Sequence, residues 1–388
     1  MYTVCDKEKC TGCKACISAC PQQCITYIEN LEDQSCIIDE NKCVHCNLCK
    51  KVCLNQSQSL VLKAPVEWKQ GWSKDAQVRS SSSSGGAAAE LSQLFLKEKG
   101  IVYSCVYDNG KFIYQKASAL GEQRKFTGSK YVKSDPGKIY LEIKSDLVKG
   151  ERVLFIGLPC HVAALKLFLN ESLQKKLFTV DLICHGTPAI KLFESFVEQY
   201  GCHINELDDV QFRIANQFSV NSERKSFAPY GTCDRYTIGF LNALFYTQNC
   251  YSCKFAGTNR VSDITIGDSW GSNLSIEEQK KGISLMLCQT EKGKDLLHRA
   301  NLFLTDVDAD VAIAHNHQLE RPVLQTKKRK RFFGLLYQNK SFNSAVFQCY
   351  PDQCIKQSIK GVLIKLKVFK KLGGGGKIDY HITYIYRK

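Results

Sequence analysis

Cysteine is the residue type in this chain best placed to do chemistry, and there are 21 of them. Cys10, Cys13, Cys16 and Cys20 follow the spacing C-x2-C-x2-C-x3-C, with Pro21 next, and Cys43, Cys46, Cys49 and Cys53 repeat it. Three cysteines on one tight loop reach three corners of an iron–sulfur cubane, and the fourth must come from elsewhere. In two-cluster modules with this spacing, the last cysteine of each run ligates the other cluster. The spacing therefore predicts one [4Fe–4S] cluster on Cys10, Cys13, Cys16 and Cys53, and a second on Cys43, Cys46, Cys49 and Cys20. Zinc sites use cysteines in two pairs rather than in three consecutive steps, so the reading for residues 1–60 is two clusters. Cys5, Cys24 and Cys36 are extra and read as structural.

Eleven of the cysteines fall within residues 1–53, a composition break that marks a small N-terminal module. The clusters themselves would stand in for the core that so short a module lacks. The whole chain has 388 residues, enough for two or three domains. No apolar run approaches the ~18 residues of a membrane span, and Met1–Cys5 shows no basic stretch leading into an apolar one. The expectation is a cytoplasmic protein whose cysteines are metal ligands rather than disulfides. A formal charge of +15 suggests acidic partners. Three all-cysteine cluster sites at roughly −2 each would lower it to about +9.

The elements that must position further chemistry lie downstream. Arg152–Gly157 reads as a short apolar strand, Cys160–Asn170 as a helix, Phe178–Cys184 as a second strand and Pro188–Tyr200 as a second helix. Such a strand–helix–strand–helix unit implies a parallel sheet. Cys160 and Cys184 then share the carboxyl edge of that sheet, where open α/β sheets bind ligands. Cys250 and Cys253 form a C-x2-C pair on a loop after an aromatic-rich helix. The four predict a third [4Fe–4S] cluster, with a structural zinc site or unligated thiols as the alternatives and Cys233 as a substitute ligand. The run Ser80–Ser84, Gly85, Gly86 reads either as a flexible linker or as a loop opening a helix at Ala87, whose N-terminus attracts anions. The basic run Lys327–Arg331 reads as a solvated face, so no nucleic-acid partner is expected. The amphipathic stretch Ile359–Leu372 packs on its own domain or touches a membrane surface peripherally.

Several segments together resemble the coenzyme F420 hydrogenase/dehydrogenase beta-subunit family: Ser83–Gly86, Gly128–Ser134, Val153–Cys160, Asp181–Gly186, Cys250–Phe255 and Asp263–Gly271. One departure is Leu158 and His161 where the family usually has Gly-Thr-Pro-Cys-Gln. The resemblance spans about residues 1–335 and implies FAD, with electrons moving between iron–sulfur clusters and a two-electron carrier. It makes Ser83, Ser84, Gly85, Gly86, Ser129, Lys130, Tyr131, Ser134, Gly157 and Pro159 the candidate cofactor-binding residues. A Ser/Gly loop at a helix N-terminus, with a lysine and hydroxyls nearby, suits a pyrophosphate.

The expected fold is an α+β two-cluster ferredoxin module (1–60) followed by an α/β flavin-binding region with a partly parallel sheet. That region divides into a linker and first part (61–145), a beta-subunit-like domain (146–335) and a basic extension (336–388). The expected function is an iron–sulfur flavoprotein oxidoreductase that takes electrons from a ferredoxin-like donor or partner subunit. It would deliver them through the clusters and FAD to a small two-electron acceptor, F420-like or other. No protein acid or base is named as catalytic. The alternative is a non-catalytic subunit that delivers electrons to a separate enzyme.

Overall fold

The computed structural model describes residues 2–57, 59–214, 217–223 and 225–366. The glycine run Gly373–Gly376, the aromatic tail and the second half of the Ile359–Leu372 stretch lie outside them.

In the N-terminal module, β1 (Ile25–Glu29) pairs antiparallel with β2 (Gln34–Ile38), and two short helices, Ala15–Ala19 and Leu48–Lys51, follow the cysteine loops. Each loop curls through two left-handed residues. Gly12 (φ 65°) and Lys14 (φ 56°) flank Cys13, and His45 (φ 54°) and Asn47 (φ 59°) flank Cys46. These conformations, free for Gly12 and costly for Lys14 and His45, turn the chain back on itself, so that successive thiols face one centre. Cysteines make up much of the module's interior: Cys5, Cys10, Cys16, Cys24, Cys36 and Cys53 are buried with Val4, Ala15, Ile25 and Ile38.

The rest of the chain is organised by one eight-stranded sheet. Its strands are β3 (Glu67–Ser73), β4 (Ile101–Asp108), β5 (Lys111–Ala117), β6 (Val153–Gly157), β7 (Leu177–Leu182), β10 (Ile264–Asp268), β11 (Ser284–Cys288) and β12 (Leu302–Asp306); β8 (Gln211–Ile214) and β9 (Gln217–Asn221) form a separate hairpin. The order across the sheet is β12-β3-β11-β10-β7-β6-β4-β5. The central strands β4, β6, β7 and β10 run parallel, and the flanking pairs are antiparallel. Buried on both faces, β6 carries five consecutive buried residues (VLFIG), as a central parallel strand should. Pro159 opens the crossover helix Pro159–Phe168, the first-turn position at which its missing N–H costs nothing. The expected α/β unit is therefore present, with a mixed sheet around it.

The serine-rich run is packed rather than a free tether. It ends the helix Ala76–Ser81 and enters the helix Ala87–Lys97, with the Gly85 carbonyl accepting from Ser73 N (2.7 Å) and Ser84 Oγ donating to the Ile283 carbonyl (2.9 Å). Gly85 leaves no room for a side chain, since a Cβ there would lie 2.4 Å from the Gly71 carbonyl oxygen. The helix Lys328–Tyr337 runs across position 335, and its Phe332 shares an aromatic core with Phe196, Tyr236, Phe245 and Phe342. The following helices Phe342–Cys349 and Pro351–Lys365 close that core, with Cys354 and Gly361 buried. Residues 336–366 thus pack as part of the fold.

The basic run is not uniformly solvated. Lys327, Lys328, Lys330 and Arg331 are exposed, but Arg329 is 1% exposed and reaches back to the N-terminal module. Glu32 also accepts at its carbonyl from Gln248 N (2.9 Å), and Gln34 Nε2 donates to Asn249 Oδ1 (3.1 Å). These bonds fasten the β1–β2 hairpin to the loop carrying Cys250 and Cys253.

Candidate functional site

The eight motif cysteines sort into two sets, and the sorting is crossed. Cys53 lines one small cavity with Cys10, Cys13 and Cys16, while Cys20 lines another with Cys43, Cys46 and Cys49. The last thiol of each run thus reaches across to the other run's loop. Cys5 and Cys36 line the first cavity as well, and Cys24 the second. Hydrogen bonds from the Cys36 and Cys5 thiols hold Cys10 well below the ordinary thiol pKa, which favours the thiolate that ligates metal. Cys24 Sγ stands 3.4 Å from Cys20 Sγ. Cys20→Ser should therefore perturb the cluster of Cys43, Cys46 and Cys49. Iron analysis and paramagnetic spectra of the reduced protein would check this, and damage confined to the Cys10–Cys16 cluster would contradict it.

The third set assembles at the carboxyl edge of the parallel strands. Cys160 is in the first turn after β6, Cys184 follows β7, and Cys250 and Cys253 lie on and just after the turn Gln248–Ser252. All four line one cavity of about 150 Å³, together with Thr11, Leu54 and Asn55 of the N-terminal module. Pro159 lines this cavity as well, and not the larger one described below. Cys233 is elsewhere: it precedes the helix Arg235–Leu241 and its N–H donates to Gln357 Oε1. Burial pushes the Cys184 thiol up to about 12 and raises Cys160 and Cys253 too. A metal group binding here must displace protons. Among the described residues, no three His, Cys, Asp or Glu side chains close around a point tightly enough for a single ion.

Beside this lies a cavity of about 300 Å³. Its floor is the carboxyl end of the sheet, with Gly157, Leu182 and Gly267. Ser83, Ser84, Gly86 and the first turn Ala87–Ala89 form one wall, and Ser129, Lys130, Tyr131 and Ser134 another. The helix Ala87–Lys97 begins at Gly86 (φ 89°) with no capping side chain, so its first N–H groups lack the usual partner. The expected helix opening at Ala87 is present, and an uncapped helix end of this kind attracts anions. Gly85 is not part of the lining, because it packs between β3 and β11. Lys130 is half-buried and donates to the Phe126 (2.9 Å) and Thr127 (2.8 Å) carbonyls, tying its own loop together. Loss of hydration lowers its pKa.

Sequence reasoning missed the opposite wall. Arg213 on β8 pairs with Asp268 (2.6 Å) and lies over Phe218, and Tyr131 stacks on Phe240 at 4.4 Å. Asp268 sits inside a segment singled out from the sequence, but no spacing rule connects it to Arg213. The two cavities share a thin partition. Leu158, Cys184, His185, Gly186 and Thr187 line both. Gly186 (φ 136°) passes so close to Tyr246 that a Cβ would lie 2.3 Å from its ring.

Comparison with known proteins falls on the same segments. Residues 9–57 match the 4Fe-4S dicluster domain. Residues 150–304 match the family described as the C terminus of the coenzyme F420 hydrogenase/dehydrogenase beta subunit. The resemblance read from the sequence thus holds in both halves. The first segment contains all eight motif cysteines and the second contains Cys160, Cys184, Cys250 and Cys253, while Ser83–Gly86 and Ser129–Ser134 lie between them. A chain of the xenon-derivatised F420-reducing [NiFe] hydrogenase complex from Methanosarcina barkeri is similar at 19% identity and a TM-score of 0.48. That match covers 72% of this chain and 96% of the other. No curated protein matches. No helix among the described residues is long and apolar enough to cross a membrane.

Proposed function

We propose that this chain is a cytoplasmic iron–sulfur flavoprotein that conducts electrons between a one-electron donor protein, or partner subunit, and a small two-electron carrier of the F420, flavin or nicotinamide kind. The observation that supports it most is the shared partition: the segment Cys184–Thr187 lines both the third thiol cavity and the larger cavity. A cluster held by Cys160, Cys184, Cys250 and Cys253 would then stand beside FAD in the larger cavity. When bound, the clusters supply one-electron steps and the flavin couples them to a two-electron exchange.

The chain's own residues do the rest. Cys53 and Cys20 cross-link the module by completing each other's sites, which keeps the two sites adjacent. Thr11, on the loop between Cys10 and Cys13, also borders the third cavity, so the module presents the Cys10 side inward. Cys46 and its neighbours Val44, His45, Asn47 and Leu48 are exposed, which leaves the Cys43–Cys49 side facing solvent and any donor. The helix end at Ala87–Ala89 and the hydroxyls of Ser83 and Ser129 can bind a pyrophosphate, and the Tyr131–Phe240 wall can pack an aromatic ring.

Protein purified without oxygen should release about one FAD per chain on denaturation, read by chromatography and fluorescence. Lys130→Ala should lower flavin occupancy, because it removes a cation from the cavity wall and loosens the Phe126–Lys130 loop. Wild-type protein that carries its clusters but neither contains nor takes up a flavin would exclude this reading. It would leave a carrier that serves a separate enzyme.

A further inference from the structure

Lys133 is three residues beyond Lys130, yet the two line different cavities. Lys130 borders the larger one, and Lys133 borders the thiol cavity with Cys160, Cys184, Cys250 and Cys253. Lys133 is only 7% exposed. Its ammonium donates to the Thr11 carbonyl (3.2 Å), and among the described residues no carboxylate comes within ion-pair distance. A buried ammonium with only a neutral acceptor is unfavourable unless negative charge lies nearby. The nearby groups able to carry that charge are the four thiols of this cavity, Cys10 of the module and the Glu29 carboxylate. Through Thr11 the same side chain is tied to the loop between Cys10 and Cys13. The cation thus sits between the innermost set of the module and the third set, facing four sulfurs of the latter.

We propose that Lys133 is a fixed counter-cation that raises the reduction potential of a cluster held by Cys160, Cys184, Cys250 and Cys253. The proposal rests on the reading of that cavity given above. The all-cysteine site carries about −2 and gains one further negative charge on reduction. A positive charge held close by, away from water, favours the more negative state. One electron lost by the module is one electron gained at the inner site, with no bond or proton exchanged. Lys133 is a positioning charge in this process.

The test uses the full-length protein, prepared without oxygen, with iron analysis and a redox titration followed by paramagnetic resonance. Lys133→Met keeps the stem and removes the charge, whereas Lys133→Arg keeps both. The wild type should hold about twelve irons per chain. In the methionine variant one cluster should become at least tenfold harder to reduce, about 59 mV for a one-electron couple. The arginine variant should stay near the wild-type value. If the methionine variant loses the inner cluster's iron and the arginine variant keeps it, the charge requirement is again supported. Full iron with unchanged potentials in Lys133→Met would overturn the proposal while sparing the cluster, as would loss of that iron from both variants. Eight irons in the wild type would instead overturn the reading of the cavity, and the proposal with it.

Discussion

Cys184→Ala should remove about four of twelve irons per chain, slow reduction of bound flavin by a one-electron donor by more than an order of magnitude, and leave the flavin in place. Cys184 is one of four sulfurs around the inner cavity and also part of the partition that this cavity shares with the larger one. Losing one of four thiolates leaves a cubane open to solvent and oxygen at that corner, so its iron should be lost on purification. The module's cavities are lined by other cysteines and should keep their signals. In the proposed reading, flavin retention would depend on the Ser83–Ala89 and Ser129–Ser134 walls, which the substitution does not touch. Stopped-flow reduction, iron content and flavin content of the same preparation check all three expectations. Cys233→Ala is the control, and it should change none of them, because that residue borders neither cavity. Zinc rather than iron at the inner site of the wild type would make it structural. Unchanged flavin reduction after verified loss of the inner cluster would remove it from the electron path.

That expectation is largely legible in the sequence, for a reason particular to these elements. Ligand runs such as Cys10–Cys20 encode their geometry locally: each spacer fixes a loop, and Gly12, Lys14, His45 and Asn47 need only adopt left-handed turns. The placement of Cys160 and Cys184 follows from strand polarity, since two parallel neighbours end on one side of a sheet. What the sequence conceals depends on pairing at long range. Strands β3, β11 and β12 add to the sheet antiparallel across more than 200 residues. No periodicity brings Arg213 to Asp268. Lys130 and Lys133 look alike in the chain. Lys130, which reads as a phosphate ligand, binds the carbonyls of its own loop, while Lys133 faces the thiols. Cys5, Cys24 and Cys36 fall outside any ligand spacing, so only the folded loops bring their thiols against the motif cysteines.

Arg329 shows the same concealment with a larger structural consequence, and its removal should loosen the whole N-terminal module. It is the third residue of the run Lys327–Arg331, which composition reads as a solvated face. Its guanidinium instead donates to the Tyr246 carbonyl (2.7 Å) and the Glu32 carbonyl (3.4 Å), pairs with the Glu32 carboxylate (3.5 Å) and covers Phe333 and Tyr251. Tyr246 and Tyr251 flank Cys250, and Glu32 lies in the turn between β1 and β2. One side chain therefore clamps the module to the loop that supplies two of the four inner sulfurs. Arg329→Met keeps most of the apolar packing but leaves the Tyr246 carbonyl without its charged donor, at a cost of about 1.5–3 kcal/mol, while the Glu32 carbonyl keeps its bond from Gln248 N. The Glu32 pair adds little, because that carboxylate is 35% exposed. A multi-domain cofactor protein seldom unfolds in one reversible step, so the loss should be read as a rate. Limited proteolysis should release the N-terminal module much faster, and inner-site iron should become more labile to chelator. Lys330→Met, a change at the exposed neighbour, should alter neither rate. Equal behaviour of the two variants would show that Arg329 is not the clamp and that the hairpin contacts of Gln34 and Glu32 hold the module on their own.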